Sequence, residues 1–203
     1  NPPSSYSACS SELHRRLGFH TDRASVRRWA IDNKLAPDTR YKSALKPVKR
    51  WQARDYGALW QYDASPHAWL PGCTDKQALL DILDDATRLN TGARLYESET
   101  LLAHFDFLSR VFQAHGLPLA LYVDYHSFFY THNPDVFTQL GAALHFYGVH
   151  LRYAPTPQAK GKIERRHDYW QKRLVPLLAA DDIRELTGAN HLLDQLVPHA
   201  NQH

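Results

Sequence analysis

Long apolar runs are missing from this chain. No stretch approaches the roughly 20 consecutive apolar residues of a membrane-spanning helix, and no signal-peptide pattern opens the 203 residues. Cysteine is scarce. Cys9 and Cys73 alone cannot build a disulfide framework, so a reducing compartment is expected. Methionine is absent even at position 1, and the chain is expected to be a piece of a longer protein. Neither sign of charge dominates: 24 Lys and Arg face 21 Asp and Glu, and a net charge of +3 permits an anionic partner without demanding one. Also missing are a phosphate-cradling glycine loop and a nucleophile elbow. The 13 histidines are scattered, and Cys9, His14 and His20 do not form a four-ligand zinc set. What is plentiful is core material, 43% hydrophobic and 12% aromatic, enough for one good-sized domain or a domain plus a small one.

The first ten residues, rich in Pro and Ser, read as a loose end. A short helix over Glu12–Leu17 closes at Gly18, and Thr21 or Asp22 can cap a second, with Val26, Trp29 and Ala30 inward and Arg27 and Arg28 outward. Residues 1–36 thus read either as a partial helix-turn-helix that offers its arginines to DNA or as a plain helical hairpin. Residues 37–56 carry Arg40, Lys42, Lys46, Lys49, Arg50 and Arg54 between prolines. This basic linker either tracks a phosphate backbone, with Lys49 and Arg50 as contacts, or is a soluble tether.

From Gly57 the pattern changes. Strands are expected at 59–64, 78–86 and 91–96, with Pro66, Pro71 and Gly72 marking the first turn, as an antiparallel meander. Ser98 should cap a helix through Leu101, Phe105, Leu108 and Phe112, stopped by Gly116 and Pro118. Residues 119–124 form an apolar strand of the kind covered on both faces. Asn133-Pro134 should open a helix with Phe137, Leu140 and Leu144 inward, and 149–153 alternate as a fifth strand. A last strong helix follows Gly161 and should end or kink at Pro176. A C-terminal segment, 181–203, can add one more helix, interrupted at Gly188. The expected architecture is α/β: a mixed five-stranded sheet flanked by helices over 57–180.

In the stretch from Thr156 to Arg166, a Pro-punctuated loop enters the helix at Gly161. Lys160, Glu164, His167 and Gln171 share one face, and Ile163, Trp170 and Leu174 share the opposite one. Glu164 stands among Lys160, Lys162, Arg165 and Arg166. That setting suits a metal ion working on phosphate, or it is a solvated helix with surface ion pairs. The expected topology puts the first and fourth strands side by side, as in ribonuclease H. It brings Asp63 near Asp124, with Glu164 on a helix across their edge. Three carboxylates without other ligands suit two Mg²⁺ or Mn²⁺ ions acting on a phosphodiester.

Four pieces carry a family resemblance: Trp60-Gln61-Tyr62-Asp63 with Ser65-Pro66-His67, Asp84-Asp85-Ala86-Thr87-Arg88, Tyr122-Val123-Asp124, and Pro157-Gln158-Ala159-Lys160-Gly161-Lys162-Ile163-Glu164-Arg165. In this order the chain resembles the DDE transposases and retroviral-type integrases over about residues 57–175, most nearly the transposases of bacterial insertion sequences. The 39 residues between Asp124 and Glu164 are close to the spacing that gives the family its name.

The resemblance implies a ribonuclease H-like core in which Asp63, Asp124 and Glu164 bind Mg²⁺ or Mn²⁺ and are catalytic. It implies cleavage at element ends and strand transfer into target DNA. A nuclease that does not join, and a DNA-binding protein without catalysis, are the alternatives on the same scaffold. Lys160 is expected to contact DNA phosphate, with Lys162, Arg165 and Arg166 beside it. The Asp84–Asp85 pair is expected to be structural. Double-stranded DNA is the implied partner, a homo-oligomer assembled on it the implied state, and the nucleoid of a bacterial cytoplasm the implied place. His67 either lines the site or is a hydrogen-bonded loop histidine. One departure stands out: many relatives place Asn-Gly after the second Asp, where this chain has Tyr125-His126. These two either stack on an unpaired base or pack.

Overall fold

The computed structural model describes residues 5–36, 52–133, 135–155 and 157–202. Lys49 and Arg50, most of the basic linker, and the helix-opening Pro134 lie outside the described residues. The chain divides into two units, parted between Trp51 and Gln52.

In the first unit, helix α1 spans Tyr6–Leu17 and helix α2 spans Arg23–Asp32. The N-terminal stretch expected to be loose is therefore partly helical. Its cause is local: Ser5 accepts a hydrogen bond from the Ala8 N–H and caps α1. Gly18, at φ 64, closes that helix in the left-handed conformation, and Asp22 caps α2 through the Ser25 N–H. The expected α2 stripe is only partly internal. Ala30 is buried, Trp29 is 60% exposed, Arg28 is exposed and Arg27 half-buried.

The second unit is built on five strands: β1 (Trp60–His67), β2 (Gln77–Asp84), β3 (Asn90–Tyr96), β4 (Ala120–Val123) and β5 (His150–Tyr153). Their order is β3-β2-β1-β4-β5. The first three pair antiparallel, while β4 joins β1 and β5 joins β4 in parallel. Parallel neighbours need crossovers, and helices α3 (Leu101–His115) and α4 (Gln139–Phe146) supply them. The expected mixed five-stranded sheet flanked by helices is present. All eight β2 residues are buried because both faces are covered. Leu80 and Ile82 point into a core with Tyr62, Phe107, Val111, Leu121 and Leu140. Leu79 points the other way, into a core with helix α5 (Gly161–Ala180) and helix α6 (Leu186–Ala200).

Several expected punctuation marks act differently. Pro66 does not end β1, since β4 pairs with β1 only at Trp60 and Gln61, and a proline is tolerated where one side of a strand is unpaired. Thr100, not Ser98, caps α3. Helix α4 starts at Gln139 because Thr138 caps it through the Gly141 N–H, and Phe137 is left 60% exposed instead of inward. Pro176 does not end α5. Leu174, Leu177 and Leu178 are buried around it and hold the last turns in the core. Gly188 does not interrupt α6 either. A Cβ there would stand 2.9 Å from Ile183 Cγ2, so the glycine permits a close approach.

The C-terminal segment, expected to add one more helix, forms α6 and belongs to this unit. The outer edge of β3 is covered by two asparagines, Asn190 within that helix and Asn201 at its C-cap. Asn190 accepts from the Leu95 N–H at 2.8 Å and donates to its carbonyl at 2.9 Å, and Asn201 does the same to Asn90 at 2.8 and 2.9 Å. Three helical turns and five strand residues both measure about 17 Å, so the spacings match. A side-chain amide here imitates a neighbouring strand and blunts an edge that would otherwise pair.

Candidate active site

The odd-numbered residues of β1 face α5. The Ile163 N–H donates to Gln61 Oε1 at 3.3 Å, Lys160 reaches Asp63, and Gln171 stands 3.5 Å from Ser65 Oγ. A strand repeating every two residues thus lies along one stripe of the helix and the 3₁₀ turn, Pro157–Lys160, that leads into it. Ile163, Trp170 and Leu174 are fully buried on the stripe expected to dock.

Asp63 and Asp124 come together because β1 and β4 are parallel neighbours. Asp124 follows the last residue of β4, and its Oδ1 accepts from the His126 N–H at 3.1 Å. Between the two carboxylates stands the Lys160 ammonium, 2.6 Å from Asp63 Oδ1 and 4.0 Å from Asp124 Oδ2. Lys160 is only 4% exposed. Burial raises the Asp63 carboxyl above its ordinary value, Lys160 opposes that rise, and neighbouring Asp124 adds to it. One cation can therefore serve both carboxylates, as the ammonium shows, and hard oxygen donors of this kind fit Mg²⁺ or Mn²⁺.

Glu164 is exposed, in the first turn of α5. It lies one turn from both Lys160 and His167, which approach Asp63, but it makes no hydrogen bond or ion pair with the described residues. Among the described residues no group of three or more His, Cys, Asp and Glu side chains is close enough to hold an ion. The structure thus brings together two of the three expected acids.

The neighbouring basic residues divide. Lys162 is not at the surface. Its ammonium is bound to Asp85 Oδ1 in a buried pair, where Asp85 also accepts from the Gln61 amide and the Ala53 N–H, both at 2.7 Å. Burial lowers the Lys162 ammonium below its usual value against the pull of Asp85. Arg165 is exposed and curls onto the Gly161 carbonyl at 2.9 Å. Arg166 reaches the Arg88 carbonyl at 3.2 Å and lies 5.3 Å over the Tyr169 ring. Asp84 ties down the β2–β3 turn, accepting from the Ala86 and Thr87 N–H groups and the Thr87 hydroxyl. Both acids of that pair are thus committed to structural contacts, Asp84 chiefly within its own turn and Asp85 to partners distant in sequence. His67 rests edge-on against Trp69, and Tyr125 stacks on Tyr153 at 5.2 Å.

The sequence and the fold have counterparts among known proteins. No family model matches the chain. The Sinorhizobium fredii protein y4bF, a transposase by name, is 31% identical over 91% of this chain and 41% of its own length. The transposase for insertion sequence IS1202 of Streptococcus pneumoniae is 35% identical over 80% of this chain and 37% of its own. The chain spans about two fifths of the length of these relatives. Among solved structures, the HTLV-2 integrase catalytic core domain in complex with magnesium superposes with a TM-score of 0.52 at 16% identity, over 68% of this chain and 82% of that one. The chain belongs to the transposase family of these two relatives.

Within this transposase core, two groups of residues escaped the sequence reading. The first is a polar cluster on the α3 side. Tyr62 hydroxyl and His104 Nδ1 form a hydrogen bond, His104 Nε2 stands 3.2 Å from Glu99 Oε1, and His126 Nδ1 stands 4.0 Å from the same oxygen. Glu99, His104 and His126 line a small cavity of about 40 Å³ together with Asp63 and Asp124. The second is His167 with Asp81. The imidazole lies between Asp63 Oδ2 at 3.9 Å and Asp81 Oδ2 at 4.0 Å. Burial, and then Lys160, lower the His167 value to about 4, while burial raises fully buried Asp81 to about 7. His167 carried one signal, its place on the helix face with Lys160. Asp81 carried none, because a lone acid inside an apolar strand does not announce its partner.

Proposed function

We propose that this chain is the catalytic core of a DNA transposase that cuts a phosphodiester at the ends of a mobile element and joins the freed 3′-hydroxyl to target DNA. The observation that carries this reading is the meeting of Asp63 and Asp124 around one cation at the junction of β1 and β4. Asp63 and Asp124 would hold Mg²⁺ or Mn²⁺, two ions in full occupancy, with Glu164 swinging in as a third carboxylate. When bound, such ions supply an activated oxygen nucleophile and charge neutralisation at the leaving oxygen. Glu164 has the freedom this requires, being exposed and unpaired with the described residues.

The chain's own groups then position DNA. Arg165 is exposed beside the site, and Arg28 is exposed on α2 in the first unit. Lys160, Arg166, Arg27, Lys49 and Arg50 complete the basic set for the phosphate backbone, where each neutralised phosphate steepens the salt dependence. Lys162 is not in this set, because its charge is spent on Asp85. Two ends and a target must be held at once, so the working form is a homo-oligomer on double-stranded DNA, in the bacterial nucleoid. No described helix is long and apolar enough to cross a membrane. Residues 57–180 form the catalytic core and residues 1–36 a DNA-binding segment.

The test is strand transfer from an end-bearing oligonucleotide in Mn²⁺. Joined product is expected from the wild type and none from Glu164→Gln, with DNA affinity unchanged within about twofold, since an exposed neutral isostere removes no packing. Cut but unjoined product would replace this reading with a nuclease. Binding without cutting would leave a non-catalytic DNA-binding protein, and normal cutting by Glu164→Gln would remove Glu164 from the site.

A further inference from the structure

Lys160 was expected on DNA phosphate, yet the residue is only 4% exposed and its ammonium is turned inward onto Asp63. It stands 2.6 Å from Asp63 and 4.0 Å from Asp124. Two facing carboxylates repel one another, and a cation between them relieves that repulsion. A divalent ion serving the same oxygens would have to sit about 2.1 Å from them. Ammonium and ion claim the same volume and the same charge, so they exclude one another. The backbone around Lys160 suits a movable side chain. It is the last residue of a single 3₁₀ turn, the next residue is Gly161, and no side-chain hydrogen bond caps α5 there.

We propose that Lys160 is a built-in counter-cation: it occupies the divalent-ion position between Asp63 and Asp124 and is expelled when the ion enters, which frees it for a DNA phosphate. The proposal rests on the metal-dependent reading above and adds an order of events to it. Without metal, Lys160 holds the two aspartates in place and is withheld from DNA. With metal, the carboxylates exchange one cation for another and the released ammonium joins the basic rim. The apparent metal affinity is thereby reduced by the fraction of molecules in which Lys160 has already left.

Calorimetric titration of the 203-residue chain with Mn²⁺ tests this, using wild type, Lys160→Gln and Lys160→Arg. If Lys160 occupies the position in about nine molecules of ten, Lys160→Gln binds Mn²⁺ roughly tenfold more tightly than wild type. Lys160→Arg, which keeps the charge, does not gain. Equal or weaker binding by folded Lys160→Gln, or an equal gain in Lys160→Arg, overturns the proposal and leaves the metal site standing. No Mn²⁺ binding by any of the three overturns the metal reading itself. Should Lys160→Gln fail to fold, the wild type answers alone. Acylation of Lys160 by acetic anhydride, followed by peptide mass spectrometry, is expected to be slow without metal and several-fold faster with saturating Mn²⁺. An unchanged or slower rate with Mn²⁺ overturns the displacement.

Discussion

Replacing Asp81 by Asn should make the protein more stable, and increasingly so as pH rises. Asp81 lies in the middle of β2 with no exposed surface. Its Oδ1 accepts from the Asn90 amide, while Oδ2 makes no hydrogen bond of ordinary geometry and has the Trp170 indole N–H and the His167 imidazole nearby. Burial raises its carboxyl from 3.8 to about 7. The unfolded chain releases this proton near pH 4 and the folded chain only near pH 7. The contribution of Asp81 to stability is therefore fully present below about pH 4 and is lost as pH rises to 7. About three pK units at 1.36 kcal/mol each make the loss roughly 4 kcal/mol at pH 8. Asn keeps the shape and an acceptor for Asn90 but cannot ionise. His167 runs the opposite way, since its value is lowered to about 4 and it favours the folded state more as pH rises from 4 to 6.5. It is present in both proteins and cancels in the difference to first order. Urea unfolding of wild type and Asp81→Asn at pH 4.5, 6, 7 and 8 should give a stability difference of about 1 kcal/mol at the acid end that grows to roughly 4 kcal/mol at pH 8. A difference independent of pH would show that Asp81 is not the residue holding the proton. A difference that also vanishes in a His167→Gln background would assign the effect to the pair.

Two further substitutions test structural assignments. Lys162→Met should cost about 3 kcal/mol in urea unfolding, because it leaves the buried Asp85 carboxylate with only the exposed Arg88, 3.7 Å away, as a cation. The salt dependence of DNA binding should stay as it is, whereas a slope about one unit shallower would place Lys162 on a phosphate. Asn190→Ala should cost about 2 kcal/mol by stripping two hydrogen bonds from the Leu95 backbone. It should also promote association detectable by sedimentation as the β3 edge opens, and an unchanged unfolding midpoint would refute the role of that amide.

Most of the sheet was legible because its signals are local. The apolar run at β2, the alternation at β5 and the stripe of α5 are visible in short windows, and their order forces Asp63 and Asp124 to adjacent strands. Errors arose where a local signal met tertiary packing. Pro176 and Gly188 would break isolated helices, but the Leu177–Leu178 contacts and the close approach of Ile183 hold α5 and α6 through them. Asn133-Pro134 offered a good helix start, and Thr138 offered another that also anchors itself on the Phe128 carbonyl. In the site, the unreadable part was the direction of charge. Lys160 and Lys162 look alike in the sequence, and each is turned inward by an acid 97 or 77 residues away.

These long-range pairs follow from a single geometric fact. Helix α5 docks by one stripe, Ile163, Trp170, Leu174 and Leu178, each fully buried. Once that stripe is seated, the rest of the helix has no rotational freedom. Lys160 and His167 must then face Asp63, Lys162 must face Asp85, and Glu164 and Arg165 must face outward. A rotation by one residue, about 100°, would exchange the buried and exposed sets. The apolar stripe therefore sets the register of the charged site, and truncating Trp170 should disturb the approach of Lys160 to Asp63 although Trp170 lies ten residues further along the chain.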